Sequence, residues 1–294
     1  MRKATPVHGL TLFFLIGLSL TVLIFRDQIP LWHSLLFRYV VLLGILFALR
    51  LSSGRLGRPG GFLNDFSPIL FVILIYESLG DLIQHLHADI DPYLIRIDFS
   101  IFGVHPTVWM ERWIVPWLTD LMSVAYASYY FLPMTVIAVL YLGGRKEAFD
   151  RCVFVLALGY YISFVGYILF PAVGPRFSLA HLQSVPLEGS FVTDFVRDTL
   201  NALEHNRRDC MPSGHTQIAL IALYLAYRYT KVLFYAFLPF VCGLILSTVY
   251  LRYHYVIDLF AGAVVAAGCV FVGPKLYGWW NAESGRRNVS GRGR

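Results

Sequence analysis

The chain has 294 residues, 57% of them hydrophobic and 14% charged, with a mean hydropathy of +0.62 and a formal net charge of +6. A soluble domain carries about 25% charged residues, so this composition excludes an ordinary soluble globular protein. The positive balance does not indicate nucleic acid either, because the basic residues are scattered over loops and the C-terminal tail instead of forming a patch.

The apolar residues come in blocks near the roughly 20 residues that cross a bilayer as a helix. Taken in chain order, the candidate spans are 9–25, 36–50, 64–84, 119–142, 150–171, 213–230, 232–251 and 255–277. The first follows Arg2 and Lys3 like a signal peptide, but Arg26-Asp27-Gln28 offers no small-residue cleavage site, so it reads as a retained span. The second is weakened by Arg38. The third carries Glu77 and Asp81 near its end, in a stripe with His85 at intervals of four. Residues 85–118 mix apolar and charged side chains. Trp109, Trp113 and Trp117 recur there at helical spacing, which suits a helix lying in the headgroup layer. The tail from Asn281, rich in Gly, Ser, Asn and Arg, reads as disordered. The predicted fold is all-α: a polytopic membrane helix bundle with N-terminal spans in 1–63, a core of six spans and an interfacial helical segment in 64–277, and a basic tail in 278–294.

Cys152, Cys210, Cys242 and Cys269 form no CxxC pair, so neither a zinc site nor a disulfide framework follows from their spacing. Loop charge sets an orientation. With the N-terminus cytoplasmic, fifteen of the twenty-four Lys and Arg fall on the side holding both termini. The loop 172–212 then lies on the extracytoplasmic side, together with the heads of the blocks at 213 and 255.

Those two heads carry the chemistry. His254 and Asp258 are four apart and share a helix face, so the carboxylate can orient the imidazole and stabilise its charged form. Taken alone, the spacing also describes a structural His–Asp pair. Pro212-Ser213-Gly214-His215 heads the other block. Ser213 suits an N-cap, Gly214 permits close backbone approach, and His215 falls in the first helical turn. Ionisable groups at membrane depth are costly and usually functional. Two histidines, one backed by a carboxylate, suit phosphoryl transfer, with one attacking and the other protonating the leaving oxygen. Helix N-termini add free N–H groups for phosphate.

This arrangement resembles the type 2 phosphatidic acid phosphatase superfamily, whose members carry a loop motif with a lysine and Arg-Pro, then Pro-Ser-Gly-His, then Ser-Arg followed by five residues and His-x-x-x-Asp. The second motif matches at Pro212 to His215, and the third at Ser247, His254 and Asp258. Thr248 stands where the arginine belongs, and Leu169 where the lysine belongs; Gly174-Pro175-Arg176 retains an arginine. The run from Ser247 to Tyr255, the Gly-Pro-Arg triplet and Asp98 to Pro106 resemble the inositol phosphorylceramide synthase branch. The resemblance implies that His254 is the nucleophile, Asp258 its orienter and His215 the leaving-group acid.

With the lysine and one arginine missing, the candidates for binding phosphate are Arg176, Arg252 and the N–H groups near Ser213 and Gly214. Arg207 and Arg208, with Glu77 and Asp81, are candidates for the head-group rim. Tyr126, Tyr129 and Tyr130 line a lipid-entry groove or simply pack in the core.

The expected activity is transfer of a lipid-linked phosphoryl or phospho-head group, through a phosphohistidine, to an alcohol. Hydrolysis of a lipid phosphate is the alternative. An ion-relaying transporter fits less well, because its polar groups would spread along a path instead of clustering at one face. A hydrolase using Ser213 lacks the GxSxG elbow. The expected ligands are a phospholipid or lipid phosphate and membrane lipids, with no nucleic acid, no cofactor and no metal. The expected location is the plasma (inner) membrane.

Overall fold

The structure, a computed structural model, describes residues 5–52, 57–203 and 206–290. It consists of helices: α1 (Pro6–Ile24), α2 (Trp32–Ser52), α3 (Gly57–Ile83), α4 (Asp91–Phe102), α5 (Pro106–Trp109), α6 (Pro116–Ala127), α7 (Phe131–Leu142), α8 (Lys146–Leu169), α9 (Pro175–Ser178), α10 (Thr193–Leu203), α11 (Gly214–Tyr229), α12 (Lys231–Tyr250) and α13 (Val256–Ser290). No strand occurs among the described residues. Seven stretches are long and apolar enough to cross a membrane: α1, α2, α3, the α6–α7 unit, α8, α12 and α13. The predicted all-α membrane bundle is therefore the fold.

The remaining apolar block is α11, a helix of 16 residues, about 24 Å long. It is the centre of the bundle and packs on α7, α8, α12 and α13. Most of it is buried, with Ile218, Ala219, Ile221, Ala222 and Leu225 below the polar first turn of His215, Thr216 and Gln217. One hydrophobic core runs from Val7 in α1 to Tyr277 in α13. The N-terminal pair α1 and α2 shares that core through α3 and α8. Thr11 bonds the Tyr161 hydroxyl at 2.9 Å, and His8 Nε2 bonds Ser67 Oγ at 2.9 Å.

Arg38, which interrupts the second block in sequence, does not break α2. Its guanidinium donates to Asp81 of α3 at 3.0 Å, with both side chains about half exposed. The polar stripe of the third block dissolves in the same way. Asp81 pairs with Arg38, Glu77 lines a cavity, and His85 lies beyond the end of α3.

The fourth block is broken into α6 and α7 by a 3-10 turn, Ser128–Tyr130. Pro133 has no N–H to give the Tyr129 carbonyl, so the helical ladder cannot run through this turn unbroken. The three tryptophans do not share one helix as their spacing predicts. Trp109 ends α5, Trp113 ends a 3-10 turn, and Trp117 begins α6 after Pro116. The two prolines, Pro106 and Pro116, restart the chain each time. All three rings are exposed, and Arg112 stacks over Trp109 at 4.5 Å. At the C-terminus α13 continues to Ser290, so helix occupies most of the tail that composition reads as disordered. Residues 291–294 lie outside the described residues.

Candidate active site

The two motifs meet where the N-termini of α11 and α13 converge. Ser213 caps α11: its Oγ accepts the Thr216 N–H at 3.2 Å. Its own N–H donates to the Asp258 carbonyl at 3.1 Å, which ties the head of α11 to the first turn of α13. That approach needs Gly262, because a Cβ there would sit 2.6 Å from the Ser213 carbonyl oxygen. After α12 the chain reverses through Arg252, a non-glycine residue at φ 67°. The Thr248 carbonyl accepts both Tyr253 N–H (2.9 Å) and His254 N–H (3.0 Å), which fixes His254 in place.

His254 Nε2 and His215 Nδ1 lie 3.3 Å apart. On the other side of the ring, His254 Nδ1 lies 3.6 Å from Asp258 Oδ2. All three side chains are buried, Asp258 completely. Tyr126 and Tyr129 flank the His215 ring, with centroids at 4.5 and 4.4 Å. Tyr126 in the last turn of α6 and Tyr129 in the 3-10 turn thus belong to the site's wall.

Two aspartates outside the two histidine motifs, Asp98 and Asp91, hold the frame. Asp98 of α4 accepts the Val256 and Ile257 N–H groups at 2.8 and 2.9 Å, capping α13 from a distant helix. Burial raises its carboxyl above the usual range, and those two N–H bonds oppose the shift. Asp91 accepts from Val173 N, Gly174 N and the Tyr255 hydroxyl, at 2.8–2.9 Å. Burial, then the neighbouring Asp91 charge, push the Tyr255 phenol up. Asp98 begins the stretch that carries the family resemblance, without a role assigned to it there; for Asp91 the sequence signal was an acidic residue within an otherwise amphipathic segment.

The expected phosphate-binding cations are disposed differently from one another. Arg252 is mostly buried, and its guanidinium donates to Glu111 at 2.8 Å, to the Val185 carbonyl at 2.5 Å and to Gln183 at 3.3 Å. Burial pulls its pKa down, and Glu111 opposes that. It clamps the 183–185 loop. Arg176 donates to Asn201 at 3.2 Å and lies over the Phe177 and Tyr253 rings. With Arg252 it lines a polar cavity of about 570 Å³ beneath α10. Arg208 pairs with Asp89 at 2.6 Å, and Arg207 stacks over Phe177 at 5.6 Å. Thr248, at the expected arginine position, is buried, and Leu169, at the lysine position, is exposed at the end of α8.

A second cavity, about 310 Å³, runs between α3, α7 and α8 to Gly214 and His215. Its far wall is apolar, with Pro133, Ile137, Val153 and Leu156. Its near end holds Tyr76, Glu77 and Asp209, with the Tyr76 hydroxyl donating to Asp209 at 2.6 Å. A buried acid-base pair thus opens on a long apolar space.

The PAP2 superfamily profile matches residues 93–272. A PA-phosphatase related-family protein of Dictyostelium discoideum is 30% identical over 135 residues, which is 44% of this chain and 23% of that protein. The chain thus covers about a quarter of that relative's length. No solved structure matches.

Proposed function

Because the chain belongs to the PAP2 superfamily, we propose that it is a membrane enzyme moving a lipid-linked phosphoryl or phospho-head group to an alcohol through a phosphohistidine. The observation that carries this reading is the 3.3 Å contact between His254 Nε2 and His215 Nδ1, backed by Asp258 and opening on an apolar cavity. Asp258 holds the proton on His254 Nδ1, which leaves the Nε2 lone pair free to attack phosphorus. His215 gives its proton to the departing oxygen. It then takes the acceptor's proton as that oxygen displaces His254. The two rings touch, so substrate entry separates them. The charge on phosphorus is met by Arg176 and by N–H groups at the head of α11. Arg252 serves this function through the loop it clamps.

Transfer to a lipid alcohol is favoured by the long apolar cavity beside His215, which suits an acyl chain better than water. Hydrolysis is the second reading, favoured by the similarity to a PA-phosphatase related-family protein of Dictyostelium discoideum. The deciding assay incubates the full-length protein in lipid-detergent micelles with phosphatidic acid or a phospho-head-group lipid, with and without a lipid alcohol. Transfer yields a new phospholipid whose amount rises with the alcohol. Release of inorganic phosphate or the free phospho-head group, unaffected by the alcohol, would support hydrolysis. His254→Ala is expected to lower either rate by about three orders of magnitude or more. A folded His254→Ala protein with near-wild-type turnover would overturn the mechanism. Both activities are expected to persist in EDTA.

A further inference from the structure

Behind the nucleophile, the fold assembles a group of ligands that spacing along the chain conceals. Cys210 Sγ lies 2.8 Å from Asp258 Oδ2 and 3.5 Å from His254 Nδ1. Nδ1 and Oδ2 are themselves 3.6 Å apart. The three side chains are buried, and their ligand atoms all lie within 4.8 Å of one another. The Asp258 Oδ1 atom has no hydrogen-bond partner among the described residues. We propose that Cys210, His254 and Asp258 form a site for a thiophilic divalent cation, Zn²⁺ above all, and that its occupancy switches the enzyme off.

The donor set suits zinc. Zn²⁺ takes thiolate, imidazole and carboxylate in tetrahedral geometry, and the usual bond lengths place ligand atoms about 3.4–3.6 Å apart. The S–N and N–O separations already match. Only the S–O contact has to open, and it opens once the thiol proton that bridges it is gone. The carboxylate can turn to offer Oδ1, which has no hydrogen-bond partner among the described residues, while Oδ2 keeps the Tyr255 N–H at 3.0 Å. Charge supports the same assignment: a thiolate and a carboxylate neutralise Zn²⁺, whereas a lone buried carboxylate is costly. A sulfur donor disfavours Mg²⁺ and Ca²⁺. Three protein ligands leave a fourth tetrahedral position for water or a phosphate oxygen. The ligands lie just behind the apolar cavity, whose wall includes Asp209, next to Cys210, and His215, which contacts His254.

Inhibition follows from the tautomer. Zinc on Nδ1 uses the lone pair of that nitrogen and sends its proton to Nε2, so the ring loses the atom that attacks phosphorus. The thiol proton leaves to solvent, so each zinc bound releases one proton. The inhibitory half of this inference rests on His254 being the nucleophile; the binding half does not.

The test is a titration of the purified full-length protein with Co²⁺, a spectroscopic stand-in for zinc. A thiolate-to-cobalt charge-transfer band is expected in the wild type and in Cys242→Ser, and is expected to vanish in Cys210→Ser and Cys210→Ala. Losing even an outer-shell partner costs about 10–100-fold in metal affinity, so losing a ligand should weaken zinc binding at least that much. Should the Cys210 variants misfold, the wild type alone still decides, through release of about one proton per zinc in a weakly buffered titration. No band in the wild type, a band that survives Cys210→Ser, or no proton release would overturn the site. In parallel, Zn²⁺ should suppress turnover of the wild type, EDTA should restore it, and Cys210→Ser should resist the metal relative to its own zinc-free rate. Stoichiometric binding at Cys210 with turnover intact would overturn the switch and count against His254 as nucleophile, while leaving the metal site standing.

Discussion

At the scale of single residues, partners separate the chemistry from the scaffold. His254 faces His215 with one nitrogen and Asp258 with the other. Asp258→Asn removes charge and disturbs the tautomer but leaves the His254 ring in place. Its turnover is expected to fall while staying measurably above that of His254→Ala, in parallel single-turnover assays. Equal loss in both would make Asp258 as indispensable as His254. Arg252 is different, because its guanidinium is spent on Glu111 and the 183–185 loop. Removing one member of a buried ion pair costs about 3–5 kcal/mol, so Glu111→Ala should lower the thermal midpoint in detergent by several degrees. An unchanged midpoint would show that this pair contributes nothing net to stability.

At the scale of elements, Asp120 shows how a loop becomes a roof. This one carboxylate on α6 accepts the N–H groups of Ser190, Phe191, Val192 and Thr193, at 2.8–3.1 Å, and the Thr193 hydroxyl at 2.8 Å. It thereby seats the start of α10 over the polar cavity. Asp120→Ala leaves these donors to find water instead, and the 183–203 segment should open locally. Faster amide exchange confined to that segment is the expected result; uniform exchange across the bundle would mean that Asp120 supports the whole fold instead. A second element-level contact is the crossing of α13 over the head of α11 at Gly262. Gly262→Ala presses a methyl against the Ser213 carbonyl, so it should reduce turnover more than it reduces the melting midpoint.

At the scale of the whole molecule, the charge bias and the position of the site make one topological prediction. The basic residues concentrate on the side of both termini, while the two motifs lie at the opposite helix ends. Exposed Cys242 is first replaced by serine. A cysteine at Ser190 should then react with an impermeant thiol reagent in intact cells, or in spheroplasts where an outer membrane exists. A cysteine at Ala282 should react only after the membrane is opened. The opposite pattern would place the site in the cytoplasm. The N-terminal pair of spans belongs to the count, because Arg38 is answered by Asp81 and α1 shares the common core.

Apolar blocks of bilayer length, Pro212 to His215, and His254 with Asp258 are local patterns, so the sequence alone determined the all-α membrane fold and both histidines. Helix periodicity and capping act within a few residues, and such signals survive without a tertiary context. Contacts between residues far apart in the chain do not. Asp98 reaches α13 across 158 positions, and Glu111 meets Arg252 across 141. Cys210 joins His254 across 44, so cysteine spacing could not reveal its partners. Only the tertiary structure decided that Arg252 clamps a loop, that Tyr126 and Tyr129 pack on His215, and that a thiol stands behind His254. Each of these depends on which helix ends packing brings together, a property of the burial of all the helices jointly and of no single segment.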